Sequence, residues 1–364
     1  MDTVWNDSGN ATRQSDNSRV AKEVLVGLVL SLIIAATIFG NTIVLIAVCK
    51  QKTLHTISNY FLVSLAMADL LVGIVVMPPA MLLKVFRSWL LGATFCSLWT
   101  SLNLMLTNAS ILSLCIISID RYLLITQPLK YKQKMTPLRA LILIVSTWIF
   151  AILTSFLPIQ LQWYSQSSVP STSLCSFGMS RTYALLASIL LFFSPLALIL
   201  YTYGHIFKAA REQALRIATA PAVTEKQIDE TWISKFRQKQ DNVKGKKAMK
   251  TLGIIVSAFL ITWLPYHILL LIQAITQQMQ PDLHTSLAWL GFCNSLINPI
   301  IYPMLIKDFR TIFIKFFKRE KHVTRAILSS TMKATLSVVY DCKLEIIDPE
   351  HSALHSLFAN NEDI

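Results

Sequence analysis

Asn298-Pro299-Ile300-Ile301-Tyr302 stands near the end of one long apolar run, and Asp120-Arg121-Tyr122 closes another. An Asn-Pro break inside hydrocarbon and a charge cluster at the foot of an apolar segment are costly unless a protein interior supplies partners. The two strings therefore predict membrane helices that are bundled, with their polar groups turned inward. Working outward, seven runs reach the roughly 20 apolar residues that cross about 30 Å of hydrocarbon. They are 24–49, 60–85, 96–125, 138–158, 183–207, 248–276 and 283–305. With 54% hydrophobic and 15% charged residues among 364, and a mean hydropathy of +0.52, the chain is too apolar for a soluble domain of that length. The expected fold class is all-α, a seven-transmembrane helix bundle spanning 24–305.

Basic residues set the orientation. Lys50 and Lys52 follow the first run, Lys130, Lys132, Lys134 and Arg139 follow the third, and residues 208–250 after the fifth are rich in Lys and Arg, which puts these ends in the cytoplasm. Residues 1–23 are then an extracellular amino terminus, with glycosylation sequons at Asn6 and Asn10. The first run serves as signal anchor, because the first 20 residues are polar. A net charge of +13 reads as orientation plus attraction to anionic lipid and protein partners, not to nucleic acid. Of the six cysteines, only Cys96 and Cys175 fall on the extracellular side, where an oxidising compartment lets the pair close. The cytoplasmic loop 208–247 partly extends the fifth helix. In 306–321, Phe309, Ile312, Phe313, Phe316 and Phe317 fall at helical spacing opposite Arg310, Lys315, Lys318 and Arg319, which predicts an interfacial helix on the inner leaflet. Residues 322–364 form a cytoplasmic tail.

Gly40-Asn41, Leu65-Ala66 with Asp69, Asp120-Arg121-Tyr122, Trp148, Pro195 with Tyr203, Trp263-Leu264-Pro265, and Asn298-Pro299 with Tyr302 mark one run each. On these residues the chain resembles the rhodopsin-like (class A) G-protein-coupled receptors, from about residue 40 to 317. Val76-Met77-Pro78-Pro79-Ala80-Met81-Leu82 and Ala109-Ser110-Ile111-Leu112 place the resemblance in the biogenic-amine branch, where they are similar to serotonin type 6 receptors. Ile206-Phe207-Lys208-Ala209-Ala210-Arg211 adds serotonin type 4 and histamine type 2 features.

The resemblance implies roles. Asp69, a carboxylate in the middle of an apolar run, must be neutral or paired, and the family places Ser110, Asn294, Ser295 and Asn298 around it as oxygen ligands for an allosteric sodium ion. A hydrogen-bonded polar core without an ion is the other reading. No further cofactor is expected. Arg121 pairs with Asp120 at rest and turns towards Tyr203 and Tyr302 when the sixth helix swings out; Tyr122, Asn298 and Pro299 belong to the same switch, with Ile111, Pro195, Phe259 and Trp263 as its packing core. Many amine receptors further restrain this arginine with an acid at the base of the sixth helix, but Gly245 stands there, so basal signalling is expected. The implied partners are a heterotrimeric G protein of the stimulatory type, raising cyclic AMP, together with arrestin and receptor kinases, at the plasma membrane.

The pocket departs from the branch. Where amine receptors hold the ligand ammonium with an aspartate of the third helix, this chain has Asn103, and the supporting tyrosine of the seventh helix is Phe292. No Asp or Glu lies between Asp69 and Asp120, between Asp120 and Glu212, or between Asp241 and Asp282. Only Asp282 and Glu23, both at the rim, are placed to steer a cation. Asn103, Thr107, Asn108, Ala187, Ser188, Leu191, Trp263, Tyr266, His267, Leu270, Ala288 and Phe292 are the expected lining, suited to a neutral or weakly basic small molecule. The alternative is an orphan that signals without ligand or serves as partner subunit to another receptor. An opsin needs a lysine in 283–305 and there is none; repeats that mark transporters are absent; no nucleophile with a base marks an enzyme.

Overall fold

In a computed structural model, residues 4–163, 175, 180–218, 253–276, 278, 280–305, 309–311 and 314 are described. The chain divides into a unit Met1–Phe309, which holds the bundle, and a unit Arg310–Ile364. We number the long helices α1 (Val4–Lys50), α2 (Ile57–Phe86), α3 (Gly92–Thr126), α4 (Pro137–Gln160), α5 (Arg181–Ser188, Ile189–Phe193 and Ser194–Ala218), α6 (Gly253–Thr276) and α7 (Pro281–Leu305). Six of them are long and apolar enough to cross a membrane by length and composition. The remaining one, α7, has 25 residues but is less apolar, because Asn294, Ser295 and Asn298 sit within it and are buried.

Local chemistry fixes where the helices begin. Thr56, Thr136 and Ser180 hold extended backbone and accept a hydrogen bond from the amide three residues on, the N-cap arrangement, and Pro137 occupies the first helical position after Thr136. α1 starts well before the apolar run, at Val4 rather than residue 24. Its upstream part is polar, and Arg19 pairs with Glu23 one turn on at 3.4 Å, a contact that helical geometry alone creates. α2 and α5 each contain a π turn, Val72–Val76 and Ile189–Phe193, shortly before Pro78-Pro79 and Pro195. A proline cannot donate to the preceding turn, and a widened turn is one way the helix accommodates that loss.

α3 lies against α2, α4 and α5, and α1 against α2 and α7. Large apolar side chains such as Leu32, Leu190 and Ile261 face outward and polar ones inward, the inverse of a water-soluble bundle. Asn41 on α1 donates to the Thr37 and Ser295 carbonyls at 2.9 and 3.0 Å, tying α1 to α7. Trp148 Nε1 donates to Ser64 Oγ across α4 and α2 at 3.1 Å. Arg181 at the start of α5 donates to the Ala274 and Ile275 carbonyls at the end of α6. Cys96 and Cys175 are disulfide-bonded.

The fifth helix continues as one helix through Ala218, extending into the loop over 208–218. One expectation needs correction. Phe309, expected on a lipid-facing surface, is fully buried with its ring centroid 5.9 Å from that of Tyr302. It packs there because the Tyr302 ring offers apolar area inside the bundle. Gly245 and the rest of 219–252, most of 306–321, and the side chains of Asn6 and Asn10 fall outside the described residues.

Candidate functional site: an outer chamber, a polar midplane and an inner charge pair

On the predicted extracellular side, α2, α3, α5, α6 and α7 enclose a cavity of about 350 Å³. All twelve expected lining residues meet there: Asn103, Thr107 and Asn108 from α3, Ala187, Ser188 and Leu191 from α5, Trp263, Tyr266, His267 and Leu270 from α6, and Ala288 and Phe292 from α7. Cys175 also reaches the cavity, carried there by its bond to Cys96 on α3.

Aromatic packing shapes the floor. Trp263 meets the edge of Phe292 at a centroid distance of 6.5 Å, and its ring can lie on α7 only because Gly291 has no side chain: a Cβ there would stand 2.8 Å from the indole. His267 stacks flat on Phe192, 3.7 Å between centroids and 11° between planes, with both ring nitrogens buried and without a partner among the described residues. Phe192 is completely buried and also packs on Phe259. Sequence reasoning missed it, because Ile189-Leu190-Leu191-Phe192-Phe193 reads as an undifferentiated apolar run, although helical spacing from Ser188 points to it.

Polarity in the chamber is sparse. Asn108 is turned to α4, donating to Thr154 and Ser155 hydroxyls at 3.4 and 3.3 Å. The Asn103 amide makes no hydrogen bond among the described residues and remains available to a guest. Among the described residues of the wall the only acid is Asp282, at the mouth and exposed. Lys84 and Arg87 stand at the same mouth; in the sequence they read as ordinary charges at the end of α2. Glu23, expected as a possible cation guide, is engaged instead by Arg19 and Arg87 at 3.4 and 3.9 Å.

Below the chamber, Asp69 is fully buried. One of its oxygens accepts from Ser295 Oγ at 2.8 Å and Ser110 Oγ at 3.3 Å, the other from Asn298 Nδ2 at 2.8 Å. Asn294 makes no bond to Asp69, but its Oδ1, like that of Asn298, is buried without a donor among the described residues. A carboxylate, hydroxyls and free amide oxygens form a hard donor set that fits a small alkali cation.

At the inner end, Asp120 is buried and holds three donors. Ser58 Oγ and Tyr131 Oη donate to its two oxygens at 2.6 Å each, and the Arg121 guanidinium stands 3.4 Å away. Tyr131 lies in a short helix, Pro128–Lys134, between α3 and α4, and burial followed by the bond to Asp120 pushes its phenol up to about 12, so it stays a donor at physiological pH. Tyr203 and Tyr302 do not bond to Arg121: Tyr203 lies against Gly253 on α6, and Tyr302 is buried beside Phe309 with its hydroxyl unpartnered. Ile111, Pro195 and Phe259 are buried between the outer chamber and this pair, and Tyr122 meets His205 edge-on.

Comparison with known proteins adds to this geometry. Residues 40–302 match the model of the seven-transmembrane receptor (rhodopsin family). The chain is 42% identical over 299 residues to the 5-hydroxytryptamine receptor 6 of Mus musculus, covering 77% of this chain and 68% of that one. It is 35% identical over 323 residues to the histamine H2 receptor of Rattus norvegicus, covering 86% of each. It is 34% identical over 324 residues to the D(1) dopamine receptor of Carassius auratus, covering 80% of this chain and 87% of that one.

Proposed function

Because the chain belongs to the rhodopsin family of seven-transmembrane receptors, in its biogenic-amine branch, we propose that it is a receptor whose chamber takes a small molecule that is neutral, or only weakly basic, at its buried end. It is a multi-pass membrane protein and not an enzyme, and its family partner is a heterotrimeric G protein. The observation that carries the proposal is Asn103: it lines the cavity where the branch places the ammonium anchor, and among the described residues no acid lines the cavity except exposed Asp282. A buried ammonium needs a carboxylate to offset its lost hydration, and a neutral amide offers only a dipole. Asn103, Ser188, Thr107 and His267 supply donors and acceptors to an uncharged guest, and Trp263, Tyr266 and Phe292 supply aromatic surface.

The signalling half of the proposal rests on the inner end. A guest that shifts Trp263 repacks Phe259 and Ile111 beneath it, which frees α6 to move and Arg121 to leave Asp120 for Tyr203 and Tyr302. The stimulatory G protein, cyclic AMP as output, and appreciable basal activity from the missing acid at Gly245 are parts of this reading. Asp69, Ser110, Asn294, Ser295 and Asn298 would hold a sodium ion, which would supply a positive charge opposite Asp69 and favour the closed arrangement. Arrestin and receptor kinases follow as cytoplasmic partners, and an outward amino terminus glycosylated at Asn6 and Asn10 as orientation.

A ligand-concentration series on cyclic AMP in cells expressing the chain tests the reading. A saturable rise with neutral or weakly basic compounds is expected. Cyclic AMP that exceeds an Arg121→Ala control but responds to no compound would leave an orphan or a partner subunit instead.

A further inference from the structure

The cavity is not electrically neutral, and its charges are not spread evenly. Its deep wall carries none, while its mouth carries Lys84, Arg87 and Asp282. Lys84 Nζ is 4.0 Å from Asp282 Oδ1 and 3.5 Å from Ser286 Oγ, both at the outer limit of contact, and the Asp282 side chain is 91% exposed while that of Lys84 is 26% exposed. An ion pair of that length with one partner in water is of the weakest kind. Arg87 stands 3.9 Å from Glu23, but Glu23 already binds Arg19 at 3.4 Å and does not line the cavity. The mouth thus presents two cations to a guest and one loosely engaged, hydrated acid. Opposed to a protonated amine on both counts, the site lacks an anchor below and repels it above.

We propose that the ligand carries an anionic group, a carboxylate or one of like charge, that Lys84 binds at the extracellular mouth while an uncharged body fills the deep chamber. This rests on the reading of the chamber as the ligand site. A carboxylate reaching Lys84 replaces a 4.0 Å contact with a charge-assisted hydrogen bond in a partly desolvated place. Asp282 competes for the same ammonium, so its removal strengthens the new bond. Arg87 adds long-range attraction without a fixed contact, because its side chain is 62% exposed.

Three matched probes test this on the full chain in lipid nanodiscs: indole-3-propionic acid, its primary amide, and tryptamine, with ligand-induced thermal stabilisation as readout. The acid is expected to act at about tenfold lower concentration than the amide, with tryptamine weakest. Lys84→Gln should bring acid and amide to within about twofold of each other, with an unchanged unfolding temperature in the absence of probe showing that the variant is folded. Asp282→Asn should sharpen the preference for the acid. An acid no better than the amide, or a preference that survives Lys84→Gln, overturns the anionic ligand while saturable amide binding leaves the chamber reading intact. No saturable binding by any of the three removes both.

Discussion

The Tyr203 hydroxyl fills the space that a side chain on Gly253 would need: a Cβ there would stand 2.5 Å from the oxygen and 3.1 Å from Cζ. Tyr203 and α6 can hold this contact only while α6 stays close to α5. Gly253→Ala should force them apart and bias the receptor towards the open arrangement. A strain of about 1 kcal/mol on one state changes a two-state ratio by about fivefold. Basal cyclic AMP at matched surface expression should therefore rise clearly. An unchanged basal level would show that the contact does not govern α6.

Asp69 is expected to make the receptor respond to sodium. Its three donors leave the amide oxygens of Asn294 and Asn298 free, and a cation there adds stability only to the folded arrangement. Sodium chloride should raise the unfolding temperature of the purified receptor relative to potassium chloride, and Asp69→Asn should abolish the difference. Equal stabilisation by both salts would leave a hydrogen-bonded polar core without an ion.

The Cys96–Cys175 bond ties Cys175, in the connection between α4 and α5, to α3 and to the chamber wall. Non-reduced peptide mapping of surface-expressed protein should recover the pair. Cys175→Ser should lower both surface expression and thermal stability, by roughly the 2–5 kcal/mol typical of a lost native disulfide. Free thiols at both positions in protein from the cell surface would exclude the bond.

Apolar length and polar exceptions made much of this architecture readable. Seven runs, with Asp69, Asp120 and Asn298 breaking them, specified buried polar groups inside a bundle. The twelve chamber positions came from family resemblance; spacing alone does not say which face of α5 or α6 turns inward. The upstream part of α1 was hidden because its residues are polar and carry no apolar period. Phe192 was hidden within a uniformly apolar stretch, where nothing but its spacing from Ser188 marks it as inward. Lys84 escaped notice because a lysine at a helix end reads as a solvated charge until its contacts are seen.

Serotonin binding, measured on the native chain and on Asn103→Asp in the same membranes, tests the central claim most directly. Loss of a desolvated charge pair typically costs about 2–5 kcal/mol, or roughly 30- to several-thousand-fold in affinity, so the native chain should bind serotonin only weakly. Asn103→Asp should recover part of that. It should not recover all, because Phe292 cannot donate a supporting hydrogen bond and Leu191 presents no hydroxyl from α5. Nanomolar serotonin binding by the native chain, unaltered by Asn103→Asp, would contradict the account.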